Sequence, residues 1–89
     1  MKAVITVIGK DMVGILAKVS GKCAEANANV IEVTQSVLQS MFAMIMLVDI
    51  TELSMPFSDM VESLEQLGRD LGLSIHVMHE DIFNSMHRI

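Results

Sequence analysis

At 89 residues the chain is long enough for one domain, which would bury about 60–65% of the surface that its unfolded form exposes. Hydrophobic residues make up 52% of the sequence and the formal net charge is −5, so the electrostatic field of the molecule repels nucleic-acid backbones and anionic lipid. The longest apolar run, Met41–Val48, is too short for a membrane span and the single cysteine fits a reducing compartment, so we expect a cytoplasmic protein without nucleic-acid or membrane partners.

A strand followed by a helix is predicted first. Lys2–Ile8 is almost continuously apolar, as expected of a central strand, and the charges at Lys10 and Asp11 interrupt the run too early for a secretory signal. A helix is predicted from Met12 to about Asn27, where an asparagine in the left-handed conformation ends it. Its apolar residues recur at helical spacing: Leu16, Val19, Cys23 and Ala26.

Two strands joined by a turn at Gln39–Ser40 follow. The first, from Val30 to about Gln39, alternates apolar and polar residues, which is typical of an edge strand. The second, Met41–Ile50, is apolar at both parities, which predicts burial on both of its faces.

A second helix and a last strand complete the pattern. Pro56 suits the first turn of the helix and Gly72 suits its end. Leu73 to about Asp81 alternates as a strand does. The tail 82–89 is expected to form a short amphipathic turn through Ile82, Met86 and Ile89 and to dock on another surface. The apolar residues of the helix fit a 3.6-residue period: Phe57, Met60, Val61, Leu64, Leu67 and Leu71.

The order β-α-β-β-α-β predicts an α+β fold, the ferredoxin-like sandwich, with a four-stranded antiparallel sheet and two helices on one face. We expect residues 1–89 to form a single domain, with a core of 1–81 and a C-terminal tail of 82–89. One sheet face is left bare in this arrangement. We therefore expect a homodimer or higher oligomer, with Met44, Met46 and Met78 at the interface.

The turn between the first strand and the first helix has residues suited to an amino-acid head group. Asp11 is the best N-cap candidate, and its carboxylate suits an ammonium group, while the free N–H groups of a helix start suit a carboxylate. Gly14 within a first helical turn costs roughly 1 kcal/mol relative to Ala, which suggests that another group approaches closely there. The alternative is that Gly9 and Gly14 only allow tight packing of chain on chain.

Several functions share this fold, and the residues argue against three of them. A metallochaperone needs paired cysteines in the first loop, and an acylphosphatase-like enzyme needs an arginine there, whereas the only arginines are Arg69 and Arg88. An RNA-recognition module needs aromatic residues on its central strands and a basic surface, but this chain has three Phe and a net negative charge.

Other candidate chemistry has a simpler structural explanation. His76 and His79 are three residues apart on a strand, which sends them to opposite faces and argues against a shared metal. The methionines of the third strand more often fill cores than bind copper, and Cys23 is expected to be a small core residue. We therefore expect no catalytic residue, no metal and no cofactor, and a protein that is not an enzyme.

The chain resembles the ACT domain, a small-molecule-sensing module of amino-acid metabolism, from its first strand through Asp81. The resemblance rests on the first loop, Gly9–Leu16, and on Asn29–Ile31 at the start of the second strand. Met12 and Val13 stand where the family has a basic residue and a proline. The short single-domain form is similar to a group of stand-alone ACT proteins and, more distantly, to glycine-cleavage regulators.

The resemblance implies a ligand site at a subunit interface. Asp11 would hold the ammonium group of an amino acid, the N–H groups around Val13–Ile15 its carboxylate, and Asn29 would contribute from another copy. The residues implied in ligand binding are Gly9, Lys10, Asp11, Met12, Val13, Gly14, Ile15, Asn29 and Val30.

Two hypotheses about function follow. In the first, the chain is a regulatory module that binds an amino acid or similar metabolite as a homo-oligomer and changes the affinity of a partner protein that the sequence does not name. In the second, it is a constitutive protein-interaction or oligomerisation module without a ligand.

Overall fold

The computed structural model describes residues 1–86, which form an α+β sandwich. Three helices and four strands alternate in the order βαββαβα, which confirms the predicted order and adds a short C-terminal helix. The elements are β1 (Lys2–Lys10), α1 (Ile15–Glu25), β2 (Asn29–Leu38), β3 (Met41–Asp49), α2 (Phe57–Leu71), β4 (Ser74–His79) and α3 (Glu80–Met86). Within these residues, no helix combines the length and the hydropathy needed to cross a bilayer.

The sheet is antiparallel throughout, with the strand order β2-β3-β1-β4. β1 is therefore central and β2 is an edge strand, as the sequence predicts. β1 and β3 pair along their full lengths, from Lys2 opposite Asp49 to Lys10 opposite Met41. A bulge between Val30 and Glu32 interrupts the pairing of β2 with β3.

The hydrophobic core lies between the sheet and the two long helices. The sheet contributes alternate residues of its central strands, and α2 contributes most of the apolar face predicted from its periodicity. In α1 the prediction is wrong at the helix start, because Ile15 is 3% exposed and packs in the core whereas Leu16 is 39% exposed. Among the residues that are at most 1% exposed are Ile5, Val7, Val19, Cys23, Met44, Met46, Met60 and Leu64.

The parity of β3 corrects two of the predicted interface residues. Met44 and Met46 lie opposite Val7 and Ile5, and they are 1% and 0% exposed because they point into the core of their own domain. The other parity of β3 is the one that faces outward. Because the strand is apolar at both parities, its sequence carries no alternation that distinguishes the two sides.

The expectation that β3 is buried on both faces is also wrong for this single chain. Met41 and Ile45 are 52% and 47% exposed on the sheet face opposite α1 and α2. Met78, the third predicted interface residue, lies opposite Val4 on that same face and is half-buried. We call this surface the open face.

The C-terminal tail begins earlier than predicted, because β4 ends at His79 and α3 starts at Glu80. α3 contacts β1 and β4. Ile82 and Met86, two residues of the predicted amphipathic turn, are 55% and 65% exposed, while Phe83 between them is half-buried. Ile89, the third residue of that predicted turn, lies outside the described residues.

Turns end the helices and the β2–β3 hairpin where the sequence predicts. Asn27 follows the end of α1 with φ 57°, and Gly72 ends α2 with φ 72°, both in the left-handed region. Gln39 has φ 59° in the hairpin turn. Asparagine and glycine adopt the left-handed conformation at a lower energetic cost than other residues. The ends of both helices could therefore be predicted from the sequence.

Candidate functional site

The loop after β1 is the first part of the candidate site, and its local structure differs from the prediction. The helix starts at Ile15 rather than Met12, and its N-cap is Gly14 rather than Asp11. The reason lies in the sheet: β1 stays paired as far as Lys10, and the N–H of Asp11 then donates to the carbonyl of Ser40 at 2.9 Å. Asp11 is therefore held beside the β2–β3 turn, with its side chain exposed.

Glycine is required at two positions of this loop, Gly9 and Gly14, for different physical reasons. A Cβ on Gly9 would lie 2.6 Å from Leu73 Cδ2 and 3.3 Å from Leu73 Cα, so Gly9 allows tight packing against the start of β4. Gly14 has φ 88°, and a Cβ there would meet only Lys18 Cε at 4.0 Å. The expected close approach at Gly14 is therefore not found in this chain, and the left-handed backbone explains this glycine.

The start of α1 leaves N–H donors that have no partner within the helix. The first helical hydrogen bond runs from the N–H of Lys18 to the carbonyl of Gly14 at 3.0 Å, so the N–H groups of Ile15, Leu16 and Ala17 have no partner within the helix. Gly14 has no side chain with which to cap them. Such a helix start can accept a carboxylate by hydrogen bonding and by its partial positive charge.

The side chains around this helix start are open to solvent. Lys10 and Asp11 are exposed, Met12 is 37% exposed and Val13 is 98% exposed. Ile15 differs, because it is 3% exposed and anchors the helix in the core. The loop thus offers one carboxylate, one ammonium group and the free N–H groups of the helix start.

Asn29, the second part of the predicted site, lies at the other end of the sheet. It pairs opposite Asp49, which in turn lies opposite Lys2, whereas the loop follows Lys10. The eight residue steps of β1 between these two ends correspond to roughly 27 Å at the rise of a strand. A single chain therefore does not bring Asp11 and Asn29 together. Val30 points toward the core, where it packs opposite Val48.

A polar groove of about 480 Å³ adjoins Asn29. The N-terminal amine of Met1 donates to Thr51 Oγ1 at 2.8 Å, and the N–H of Thr51 donates to Asp49 Oδ1 at 2.9 Å. Hydrogen bonds from Thr51 hold the pKa of Asp49 below its ordinary value. The groove is lined by Ala24, Asn27, Ala28, Asn29, Asp49, Thr51 and Glu52.

Sequence reasoning missed the Asp49–Thr51 pair. The signal was present, because an aspartate that accepts from the backbone two residues later forms a recognisable turn, and Asp49-Ile50-Thr51 directly follows a strand. Asn27 was predicted only as a helix end, yet its Nδ2 also donates to the carbonyl of Glu52 at 2.8 Å.

The histidines and the cysteine that the sequence offered as possible metal ligands or reactive groups do not lie together. His76 lies opposite Thr6 on the open face, whereas His79 lies opposite Ala3 on the other face and is 3.6 Å from Asp81. Cys23 is fully buried, and burial raises the pKa of its thiol to about 11. Among residues 1–86, His, Cys, Asp and Glu form no group of three that could hold a metal ion.

Comparisons with known proteins agree with this fold. A family model described as the ACT domain matches residues 2–78. A UPF0237 protein of Listeria monocytogenes is 45% identical to the chain over 89 residues, the full length of both.

Two solved structures extend the comparison. An ACT domain protein from Streptococcus pneumoniae superposes with a TM-score of 0.80 at 38% identity and covers 93% of each chain. The regulatory subunit of aspartate kinase from Thermus thermophilus superposes with a TM-score of 0.66 at 28% identity, over 85% of this chain and 49% of that one. The chain therefore belongs to the ACT domain family.

Proposed function

We propose that the protein is a regulatory module that binds an amino acid, or a metabolite with the same ammonium and carboxylate groups, at a junction between two copies of the chain. The observation that carries the proposal is the division of the polar groups between the two ends of one sheet. The loop with Asp11 and the free helix start lies at one end, and Asn29 lies at the other. Only a second copy can supply the missing half.

The edge strand β2 supports a junction of this kind. It runs from the end that carries Asn29 to the hairpin turn, and Asp11 is bonded to that turn through Ser40. If two β2 strands pair antiparallel, Asn29 of one copy comes to lie beside the turn, and so beside the Asp11 loop, of the other. A two-fold axis repeats the contact, which gives two equivalent sites.

The side chains of β2 fit the same arrangement. Val33 and Val37 are 39% and 52% exposed although they lie opposite the buried Met46 and Phe42. Edge strands that avoid pairing usually carry lysine or proline, and β2 contains neither. An apolar strip of this length on an unpaired edge favours contact with another sheet.

Each polar group has a chemical part in the proposed site. The carboxylate of Asp11 pairs with the ligand's ammonium group, and the N–H groups of Ile15 to Ala17 donate to its carboxylate. Lys10, the last residue of β1, adds positive charge next to Asp11 in the chain. Asn29 of the second copy donates or accepts one further hydrogen bond. The regulatory subunit of aspartate kinase, similar in fold, supports regulation as the purpose of this binding.

The first test is thermal unfolding in the presence of each of the twenty amino acids at millimolar concentration. A ligand at ~100 times its dissociation constant adds about 2.7 kcal/mol, so the midpoint should rise by more than ~5 °C. Asp11→Ala should abolish the rise, whereas Asp70→Ala, which removes an exposed carboxylate on α2, should keep it.

A mixing experiment tests whether two copies build the site. Asp11→Ala and Asn29→Ala should each fail to respond alone, but a mixed pair retains one site with a native loop and a native Asn29. After refolding together, the two variants should regain about a quarter of the wild-type sites by calorimetry, as two-fold symmetry requires. A mixture as silent as its components would contradict the proposed junction. A flat amino-acid panel would instead favour the constitutive interaction module.

A further inference from the structure

Among residues 1–86, the open face is covered at one end only. Val4 and Ile8 both lie on this face of β1, yet Val4 is 4% exposed and Ile8 is 51% exposed. α3 contacts β1 and β4, and it begins at Glu80, directly after His79, which pairs with Ala3 next to Val4. We therefore assign the cover over Val4 to α3. The other end, which we call the uncovered half, consists of Ile8, Leu38, Met41 and Ile45.

The uncovered half has the composition of an interface. Its four large apolar residues are between 47% and 76% exposed, and they are neighbours across the register of β1, β2 and β3. Charged residues on the same face lie at its margins, with Lys10 at the end of β1 and Glu32 near the bulge of β2. An apolar centre with a charged margin is typical of protein–protein contacts.

α3 carries a matching apolar surface. Its half-buried apolar residue is Phe83, while Ile82 and Met86, four positions apart and so on one side of the helix, are 55% and 65% exposed. Because α3 lies on one half of the open face, the surface there is raised by the thickness of a helix above the uncovered half. A second copy related by a two-fold axis has the same difference in height, so its α3 fits over the uncovered half of the first copy.

We infer that the uncovered half of the open face is a self-association surface, occupied by α3 of a second copy. The two α3 helices then lie side by side as one layer between two sheets, and each completes the cover that the other lacks. The six exposed side chains involved present on the order of 600 Å² per copy, which approaches the ~800 Å² per partner of a standard interface. This surface is separate from the β2 edge and does not rest on the proposed function.

Analytical ultracentrifugation of the full chain at 10 to 100 μM tests this inference. Ile82→Lys and Ile45→Lys, one on each side of the proposed contact, should each halve the mass of the wild-type assembly. Gln66→Lys adds the same charge on the exposed side of α2 and should leave the mass unchanged. Circular dichroism checks that all three variants remain folded, and Ile82→Lys is the least disruptive because its position is already exposed.

The masses of the two lysine variants either support or overturn the proposed contact. Equal halving by the two lysine variants supports the contact between α3 and the uncovered half. Halving by Ile45→Lys alone would overturn the role of α3, and wild-type mass in both variants would overturn the surface altogether. Any amino-acid response at the β2 junction should persist in Ile82→Lys, so the two proposals fail separately.

Discussion

Cys23 is a residue whose chemistry is governed by its burial. Its side chain is fully buried on α1, and burial raises the pKa of the thiol from its ordinary 9.0 to about 11. The native thiol should therefore not react with a disulfide reagent at pH 8, whereas the same thiol should react at once in urea. This comparison needs only an absorbance measurement.

The raised pKa also predicts a loss of stability in alkali. Above pH 9 the unfolded thiol ionises while the folded thiol keeps its proton up to about pH 11, so the unfolded state binds fewer protons. The free energy of unfolding should fall by up to ~1.4 kcal/mol per pH unit across that window. Urea titrations of wild type and Cys23→Ala from pH 8 to 11 isolate this slope, since the two proteins differ only in the thiol. Equal slopes would contradict the prediction.

At the scale of helices, the same Gly→Ala substitution can be compared at an open position in α1 and at a crowded position in α2. Gly21 lies on the exposed side of α1, where a Cβ would meet nothing within 4 Å, so Gly21→Ala should stabilise the protein by about 0.5–1 kcal/mol. Gly68 lies in α2, where a Cβ would be 2.8 Å from the carbonyl of Leu73. That backbone is fixed by the hydrogen bond from Leu73 N–H to Gly68 O at 2.8 Å.

Gly68→Ala should therefore destabilise the protein by about 1–3 kcal/mol, although alanine is the better helix former. Chemical denaturation of the two variants beside wild type measures both effects with opposite signs. A Gly68→Ala protein as stable as Gly21→Ala would show that α2 and β4 separate easily.

The elements themselves were predictable where one local signal decided them. Gly72 ends α2 because it accepts a positive φ, and the alternation in β2 identified an edge strand. The start of α1 was not predictable, because pairing of Lys10 with Met41 and the bond from Asp11 to Ser40 overrode the local preference of Asp11 for an N-cap. Tertiary contacts outweigh such preferences of about 1 kcal/mol.

The candidate site was also predictable only where a local signal decided the structure, and not where tertiary contacts did. The loop around Asp11 was found from its glycines and its carboxylate, but which parity of β3 faces the helices depends on the packed sheet, so Met44 and Met46 were misplaced. α3 has seven residues, too few to form alone, and although the sequence predicts a docked tail, the start of α3 at Glu80 and its contacts with β1 and β4 depend on the packed sheet.

At the scale of the whole molecule, two separate surfaces predict an assembly of four chains. If β2 joins copies at the edge and α3 joins them across the open face, two perpendicular two-fold axes close a tetramer. Val37→Lys should leave pairs held through α3, because a lysine on an edge strand prevents pairing. Ile82→Lys should leave pairs held through β2, and the double variant should be a monomer.

Sedimentation velocity distinguishes these species by mass, and the amino-acid response identifies which pair remains. Val37→Lys pairs should be silent, since they lack the junction between Asp11 and Asn29. Ile82→Lys pairs should respond as wild type. The same mass together with the same amino-acid response in the two single variants would mean that one surface, and not two, holds the copies together.

The separation of Asp11 and Asn29 by the length of β1 has a further consequence for regulation. On the proposed assembly an isolated chain holds only half a receptor, so occupancy rises with the abundance of the protein as well as with that of the metabolite. Dilution alone would weaken apparent affinity, and a cell could reset the threshold of its response by changing how much of this chain it synthesises.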